Sequence, residues 1–225
     1  MERHFDEELK DLKEKLLHMA SLAEESIVKA VKSLVDREKE LAEDVIQSDA
    51  AINFLEIEVD EICLKLLATR QPIANDLRFI TSALKINSDL ERIGDLSVNI
   101  AERTLELIKQ PILKPLLDIP RMAQYAQKMV KDSLDAFVNR EPNLARDVCR
   151  RDDEVDMLND QIFRELLTYM IENPKTITRS VDLILVARHL ERIADHATNI
   201  GEDVVFMVEG KTIKHHIEDQ VRGTD

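Results

Sequence analysis

One helical segment occurs twice in this chain, and the repeat constrains the fold more than any other feature of the sequence. Residues 90–102 read LERIGDLSVNIAE, and residues 190–202 read LERIADHATNIGE, without a gap. Both copies lack proline and carry apolar residues at helical spacing, which predicts a helix in each. Residues three or four apart share a helix face. Each copy therefore presents a stripe of carboxylates and amides: Glu91, Asp95, Asn99 and Glu102 in the first, and Glu191, Asp195, Asn199 and Glu202 in the second.

The repeat extends well beyond this segment. Residues 19–49 align with residues 122–152 at a constant offset of 103, and the offset falls to 100 in the repeated segment. Each half contains three helical stretches separated by turn residues. The sequence therefore predicts an all-α protein of two tandem, structurally similar three-helix bundles with six long antiparallel helices. We expect residues 1–110 to form the first bundle and residues 111–225 to form the second, with a C-terminal tail.

Local signals predict where the helices of the first half begin and end. Apolar residues at helical spacing indicate a first helix over 5–35 and a second over 39–68. Asn75 or Asp76 is expected to cap a third helix that continues to about residue 109. Three prolines then punctuate a connector to the second half, namely Pro111, Pro115 and Pro120.

Charge narrows the function classes open to this chain. Its 225 residues include 31 basic and 45 acidic side chains, giving a net charge of -14. Nucleic-acid binding requires a clustered basic surface, so we expect no nucleic-acid partner. Cations and basic protein surfaces are compatible with this charge.

The compartment is predicted from what the sequence lacks. No apolar run reaches the roughly 18–20 residues of a membrane span, and the acidic N-terminal stretch is unlike a signal peptide. A cytoplasmic protein is therefore expected. Cys63 and Cys149 occupy non-equivalent positions in the repeat, which indicates two ordinary thiols. We expect no metal role for the His215–His216 pair in the tail.

The helix before each repeated segment carries a related polar stripe. In the first half, Asp49, Asn53, Glu56 and Asp60 fall beside the apolar face of the second helix. The second half supplies Asp152, Asp156 and Asn159 at matching positions, and Phe163 replaces the last acid. Because the second and third helices of a three-helix bundle are neighbours, the two stripes should lie side by side, away from the core.

These stripes admit two interpretations. A solvated helix face would explain each stripe alone, but like charges four residues apart destabilise a helix by about 0.2–0.5 kcal/mol per pair. Both copies nevertheless keep their Glu, Asp and Asn residues while the residues between them change. A bound cation is the simplest explanation, because carboxylate and amide oxygens suit hard or borderline metals. The predicted ligands are Glu56, Asp60, Glu91, Asp95 and Asn99 in the first half, and Asp152, Asp156, Glu191, Asp195 and Asn199 in the second.

The identity of the metal stays open among iron, manganese, magnesium and zinc, singly or in multinuclear clusters. Buried di-iron bundles use a Glu-x-x-His motif. Here Ala194 follows three residues after Glu191, so a surface cluster is favoured.

The twin Leu-Glu-Arg-Ile-x-Asp-x-x-x-Asn-Ile segments resemble the PhoU family, regulators of phosphate uptake in bacteria. Residues 70–78, RQPIANDLR, are also similar to the signature that precedes the third helix in that family. The resemblance runs from about residue 9 to residue 208. The second half departs from the pattern, since residues 177–179 read ITR where the first half has DLR.

The resemblance implies a fold of two three-helix bundles and a role in phosphate regulation. Members of the family act in the cytoplasm, peripheral to the inner membrane, with the ATPase subunit of the phosphate ABC transporter and a phosphate-sensing histidine kinase. They damp phosphate uptake and the phosphate-starvation response when phosphate is plentiful. Some members bind metal clusters through Glu/Asp-x-x-x-Asp motifs, which match Glu91 with Asp95 and Glu191 with Asp195.

Three hypotheses for function follow. The first is a non-enzymatic regulatory adaptor. The second is a metal-dependent hydrolase that uses the carboxylates to hold a Lewis acid, although the sequence offers neither a Ser/His or Cys/His constellation nor a phosphate-binding glycine loop. The third, compatible with the first, is a homodimer in which salt or metal bridges the acidic stripes.

Overall fold

The protein is all-helical, as predicted. The computed structural model describes residues 2–214, and side chains from residue 5 onward; the His215–His216 prediction lies outside this range. No strand occurs in the described residues. The helices are α1 (Glu2–Asp36), α2 (Lys39–Arg70), α3 (Ala74–Ile108), α4 (Asp118–Asn139), α5 (Pro142–Arg150), α6 (Asp152–Glu172) and α7 (Ile177–Glu209), with a 3-10 turn at Pro174–Thr176 before α7.

Each half packs as three helices. Helices α1, α2 and α3 contact one another in the first half, and α4 packs against α5, α6 and α7 in the second. Helices α5 and α6 together correspond to α2, interrupted at Arg151. The Arg151 side chain contacts Asp132 of α4 at 2.7 Å and Asp147 of α5 at 3.1 Å. The backbone N–H of Arg151 bonds to the carbonyl of Val148, three residues back, which is a 3-10 step.

The predicted cap of α3 is wrong. Neither Asn75 nor Asp76 caps this helix, which begins at Ala74 with Ile73 in the N-cap position and no side-chain cap. The chain turns out of α2 through Gln71, whose φ is 50°. The helix therefore starts before the two candidates are reached, and the Asn75 side chain instead accepts a hydrogen bond from Arg78.

In each half, one arginine directly follows the first helix. Arg37 and Arg140, equivalent in the repeat, have φ values of 58° and 56°, in the left-handed region that favours glycine. Arg37 has a second role, because its Nη2 donates to the backbone carbonyls of Leu107 and Ile108 at 3.1 and 2.8 Å. These carbonyls belong to the last turn of α3, where the helix supplies no N–H four residues later, and the carbonyl of Leu107 also accepts from the N–H of Gln110 at 3.2 Å.

The two halves meet along α3 and α7, the helices that contain the repeated segment. These helices make the most extensive pairing in the molecule, and α1 also contacts α4. The pairing is antiparallel, since Lys85 of α3 contacts Asp203 of α7 at 2.9 Å while Arg103 contacts Asp182 at 3.4 Å. Both copies of the repeated segment thus lie at the centre of the fold. The domain boundary near residue 110 stays a prediction.

The cysteines are free thiols. Cys63 is buried and Cys149 is half-buried. Burial raises the pKa of each thiol to about 12, so neither forms a reactive thiolate near neutral pH.

Candidate functional site

The polar stripes of α2 and α3 lie side by side, as predicted, and form the first acidic cluster: Asp49, Asn53, Glu56, Asp60, Glu91 and Asp95. These side chains are half-buried, whereas the sequence placed them on a fully outward face. Burial raises the pKa of Glu91, and the charges of Asp95, Glu56 and Asp49 raise it further. Carboxylates from two helices therefore share one electrostatic environment.

Asp49 can approach α3 closely because the facing residue is a glycine. A Cβ atom on Gly94 would lie 3.0 Å from Oδ1 of Asp49, so the missing side chain makes room for the carboxylate. Oδ2 of Asp49 accepts a hydrogen bond from Nδ2 of Asn53 at 2.8 Å. Oδ1 is buried without a hydrogen-bond partner. Burial raises the pKa of Asp49, and the charge of Asp95 adds to the rise.

Asp60 has a partner that the sequence did not reveal. Nδ2 of Asn87, on α3, donates to Oδ1 of Asp60 and to the backbone carbonyl of Glu56, both at 2.9 Å. Asn87 is completely buried. In the second half the equivalents of Asp60 and Asn87 are Phe163 and Ala187. Both polar residues are replaced by apolar ones in the second half. This joint replacement is the sequence feature that could have indicated their interaction.

The second acidic cluster joins α6 to α7 and comprises Asp152, Asp156, Asn159, Glu191 and Asp195. The pKa of Asp152 is raised to about 6, first by burial and then by the charges of Asp195, Asp156, Asp153 and Glu191. Its Oδ1 is buried without a hydrogen-bond partner. Burial also raises the pKa of Asp156, Glu191 and Asp195. The sequence predicted one acid fewer in this cluster than in the first. Among the acids of the two clusters, Asp152 nevertheless has the largest rise in pKa.

Asn199, in the second repeated segment, lies at the interface between the halves. Nδ2 of Asn199 donates to Oδ1 of Asp89, on α3, at 3.3 Å, and Nδ1 of His196 lies 2.8 Å from the same oxygen. The Asn199 nitrogen therefore contacts the other half of the molecule, and only its oxygen is free to act as a ligand. Asn99 is half-buried in the first half.

The residues of both clusters fit a cation in chemical type. They supply carboxylate and amide oxygens, three of which, on Asp49, Asn53 and Asp152, are buried and unpaired, and such oxygens gain most from a positive ligand. One arginine partly offsets the first cluster, since Arg92 contacts Asp95 at 3.2 Å and Glu91 at 3.5 Å. Within residues 5–214, no three acidic, histidine or cysteine side chains converge as metal ligands do. Rotation of the carboxylates is therefore needed to enclose an ion.

Replacing Asp152 with Asn will stabilise the metal-free protein at pH 7.5. The pKa of Asp152 is about 6 in the folded state, compared with an ordinary value of 3.8. Because the folded state binds this proton more tightly than the unfolded state does, stability from Asp152 falls as the pH rises from about 4 through 6. After allowance for solvent screening of a half-buried group, we expect a gain of about 1–2 kcal/mol.

The measurement is the free energy of unfolding in EDTA at pH 4.5 and 7.5. The difference between wild type and variant should be small at pH 4.5 and large at pH 7.5. Glu154→Gln is the matched control, because this exposed acid lies in the same first turn of α6 and interacts with the same helix dipole. Equal gains from both variants would contradict the account.

Comparisons with known proteins agree with this architecture. The profile of the PhoU domain matches the chain twice, at residues 16–104 and 119–204. The chain is 44% identical over 214 residues to a phosphate-specific transport system accessory protein PhoU homolog from Aquifex aeolicus, covering 95% of this chain and 97% of that protein. It is 40% identical over 214 residues to the homolog from Pseudomonas aeruginosa, covering 95% and 88%.

Solved structures show the same fold. The crystal structure of PhoU from Pseudomonas aeruginosa superposes with a TM-score of 0.89 at 40% identity, covering 92% of this chain and 100% of that one. The phosphate transport system regulatory protein PhoU from Streptococcus pneumoniae gives 0.87 at 30% identity, covering 93% and 99%.

The fold and the two acidic clusters define an all-helical protein built from two tandem three-helix repeats. The chain belongs to the PhoU family, which confirms the resemblance in its repeated segments. None of the helices in residues 2–214 is long and apolar enough to cross a bilayer.

Proposed function

We propose that this chain is an accessory regulator of phosphate-specific transport, which lowers phosphate uptake and the phosphate-starvation response when phosphate is plentiful. The observation that carries the proposal is the match over nearly the whole chain, in sequence and fold, to proteins named for that role. The relatives from Aquifex aeolicus and Pseudomonas aeruginosa are named accessory proteins of the phosphate-specific transport system. The Streptococcus pneumoniae structure is named a regulatory protein of phosphate transport.

The protein acts as an adaptor in this proposal. It binds the ATPase subunit of the phosphate ABC transporter and a phosphate-sensing histidine kinase, in the cytoplasm and peripheral to the inner membrane. Its net charge of -14 and its two acidic clusters support partners with basic surfaces, since opposite charge speeds and orients association. Dimerisation through these clusters remains a prediction.

The acidic clusters bind metal ions in this proposal. Glu56, Asp60, Glu91, Asp95 and the oxygen of Asn99 supply the ligands in the first half. Burial and then the charges of neighbouring acids raise the pKa of Glu91 and Asp152, and a bound cation would offset the repulsion among these acids. The ligands in the second half are Asp152, Asp156, Glu191, Asp195 and the oxygen of Asn199.

A regulator fits the structure better than a metal-dependent hydrolase does. A hydrolase needs its carboxylates in an enclosed site that also holds the substrate. The cavity of about 230 Å³ beside the connector between the halves is lined by apolar side chains and by Thr104, Arg37, Lys114 and Arg179, with no residue of either acidic cluster.

Phosphate uptake by living cells tests this proposal. Deleting the gene in its source bacterium should raise the uptake of labelled phosphate, and the activity of a phosphate-starvation reporter, in phosphate-rich medium. The wild-type chain and Glu154→Gln should both restore low uptake, while Glu91→Gln/Asp95→Asn should restore it incompletely. Unchanged uptake and reporter activity on deletion would contradict the proposed function.

A further inference from the structure

Helix α2 is apolar on two faces, and the core covers only one of them. Its inner face buries Ile52, Leu55, Val59, Cys63 and Leu66. Its outer face exposes three large apolar side chains that contact no core: Phe54 (62% exposed), Ile57 (57%) and Leu64 (62%). Exposed apolar groups grouped on one surface are a signature of an interaction site.

The outer face has the spacing of a coiled-coil seam. We define the α2 seam as Ala50, Phe54, Ile57, Glu61, Leu64 and Ala68, which are all exposed. Successive members are four, three, four, three and four residues apart, the alternation that places heptad a and d positions toward a partner helix. The seam spans about 27 Å at 1.5 Å per residue. It therefore fits one partner helix of about five turns.

Acidic side chains border the seam on one side and indicate the charge of its partner. The first acidic cluster lies on the side toward α3, through Asn53, Glu56 and Asp60. On the other side, Lys15 balances the charge of Glu58 at 3.0 Å, and Lys65 lies beside Glu8 at 3.5 Å. Glu61 places one exposed carboxylate within the seam itself. A partner that covers this surface must present positive charge beside its apolar residues.

The same charges disfavour other occupants. A cytoplasmic membrane surface is anionic and would be repelled by these acidic side chains. A second copy that paired α2 with α2 would bring two acidic flanks together, because a two-fold contact uses the same surface on both subunits. The second half lacks an equivalent seam, since Asp153, Asp160 and Arg164 replace Ala50, Ile57 and Glu61.

We propose that the α2 seam docks one amphipathic helix of a partner protein. That helix carries apolar residues at a and d positions, Lys or Arg on the side that faces α3, and a basic residue opposite Glu61. Polar or charged residues at one seam position fix the register of paired helices. The proposal rests on the geometry of α2 and on the exposed Glu61, which is not a proposed metal ligand, and it does not depend on phosphate regulation.

The test uses a designed, fluorescently labelled helical peptide with leucine at the a and d positions and lysine at the flanks. Fluorescence anisotropy should detect its binding to the full chain, and added salt should weaken it. Phe54→Ser/Leu64→Ser should weaken binding at least about tenfold, because such anchors dominate an interface. Met157→Ser/Leu167→Ser is the matched control, since these α6 residues are also exposed (64% and 41%), and it should leave binding unchanged. Circular dichroism of both variants confirms that each is folded.

Several results would overturn the proposal. They are no binding of the peptide to the wild-type chain, equal weakening by both double variants, or equal binding of a peptide with glutamate at the flanks. Analytical ultracentrifugation of the wild-type chain and the variant measures the oligomeric state. A dimer that Phe54→Ser/Leu64→Ser abolishes would assign the seam to a second copy of this chain and overturn the proposed partner.

Discussion

Gly201→Val will destabilise the folded protein by about 3 kcal/mol, because helix α7 passes α5 too closely for a side chain at this position. A Cβ atom on Gly201 would lie 2.9 Å from the backbone carbonyl oxygen of Ala145 and 3.3 Å from Sγ of Cys149. A backbone oxygen cannot move away without shifting α5, so the helices must separate. Chemical denaturation followed by circular dichroism measures the loss.

The control for this prediction is Gly94→Ala in the other copy of the repeated segment. There a new Cβ atom meets the ends of two side chains, Asp49 and Ile52, at 3.0 Å. Both can rotate, and alanine favours a helix over glycine by about 1 kcal/mol. We expect stability within about 1 kcal/mol of wild type. An unchanged unfolding midpoint for Gly201→Val would show that the α5–α7 contact is looser than described.

Glu91→Gln/Asp95→Asn will have opposite effects on the metal-free and the metal-loaded protein. Without metal, the variant should match or exceed wild type in stability, because it removes two neighbouring like charges at a site where burial and the charge of Asp95 raise the pKa of Glu91. With manganese at about 100 times its dissociation constant, one bound ion should stabilise wild type by about 2.7 kcal/mol. The variant should lose the contribution of the first cluster and keep that of the second.

Thermal unfolding in EDTA and in excess manganese separates these effects. Glu191→Gln/Asp195→Asn provides the matched variant in the second cluster and should lose the complementary part of the stabilisation. If manganese stabilised both double variants as much as wild type, the ions would bind elsewhere. Destabilisation of the first variant in EDTA would indicate that Glu91 and Asp95 have a structural role that does not involve metal.

Local pattern was sufficient to predict the architecture. The apolar period located the helices, and the repeat showed that the halves share a plan. Helix α2 begins at Lys39, where the apolar spacing predicted the second helix to begin. The side-by-side stripes of the first acidic cluster followed from the adjacency of α2 and α3 in a bundle.

Features that depend on distant residues were not predictable in this way. At the break between α5 and α6, Arg151 forms an ion pair with Asp132, which lies on another helix. The burial of Asn87 becomes meaningful only once its bond to Asp60 is seen. The start of α3 at Ala74 follows from backbone turns at Gln71, a residue without the usual turn chemistry. Periodicity reports which face is buried but not which neighbour covers it.

The pairing of α3 with α7 illustrates the same limit. Periodicity assigned Asn199 to an acidic stripe, yet its amide nitrogen contacts Asp89 across the interface between the halves. A helix in a three-helix bundle packs one of its faces against the other two helices. The sequence of a single half cannot show that a second bundle packs against another face of the same helix. The half-burial of the first acidic cluster has a different origin, because α2 and α3 of the same half pack against each other there.

Elemental analysis of the full chain, purified without an affinity tag, tests the central claim most directly. We propose that two acidic clusters bind cations in a phosphate-transport regulator. We therefore expect at least one iron, manganese, zinc or magnesium ion per cluster in wild type, and loss of the ions of one cluster in Glu91→Gln/Asp95→Asn. Wild-type protein that carries no metal, and takes up none of these ions on dialysis against them, would contradict this proposal.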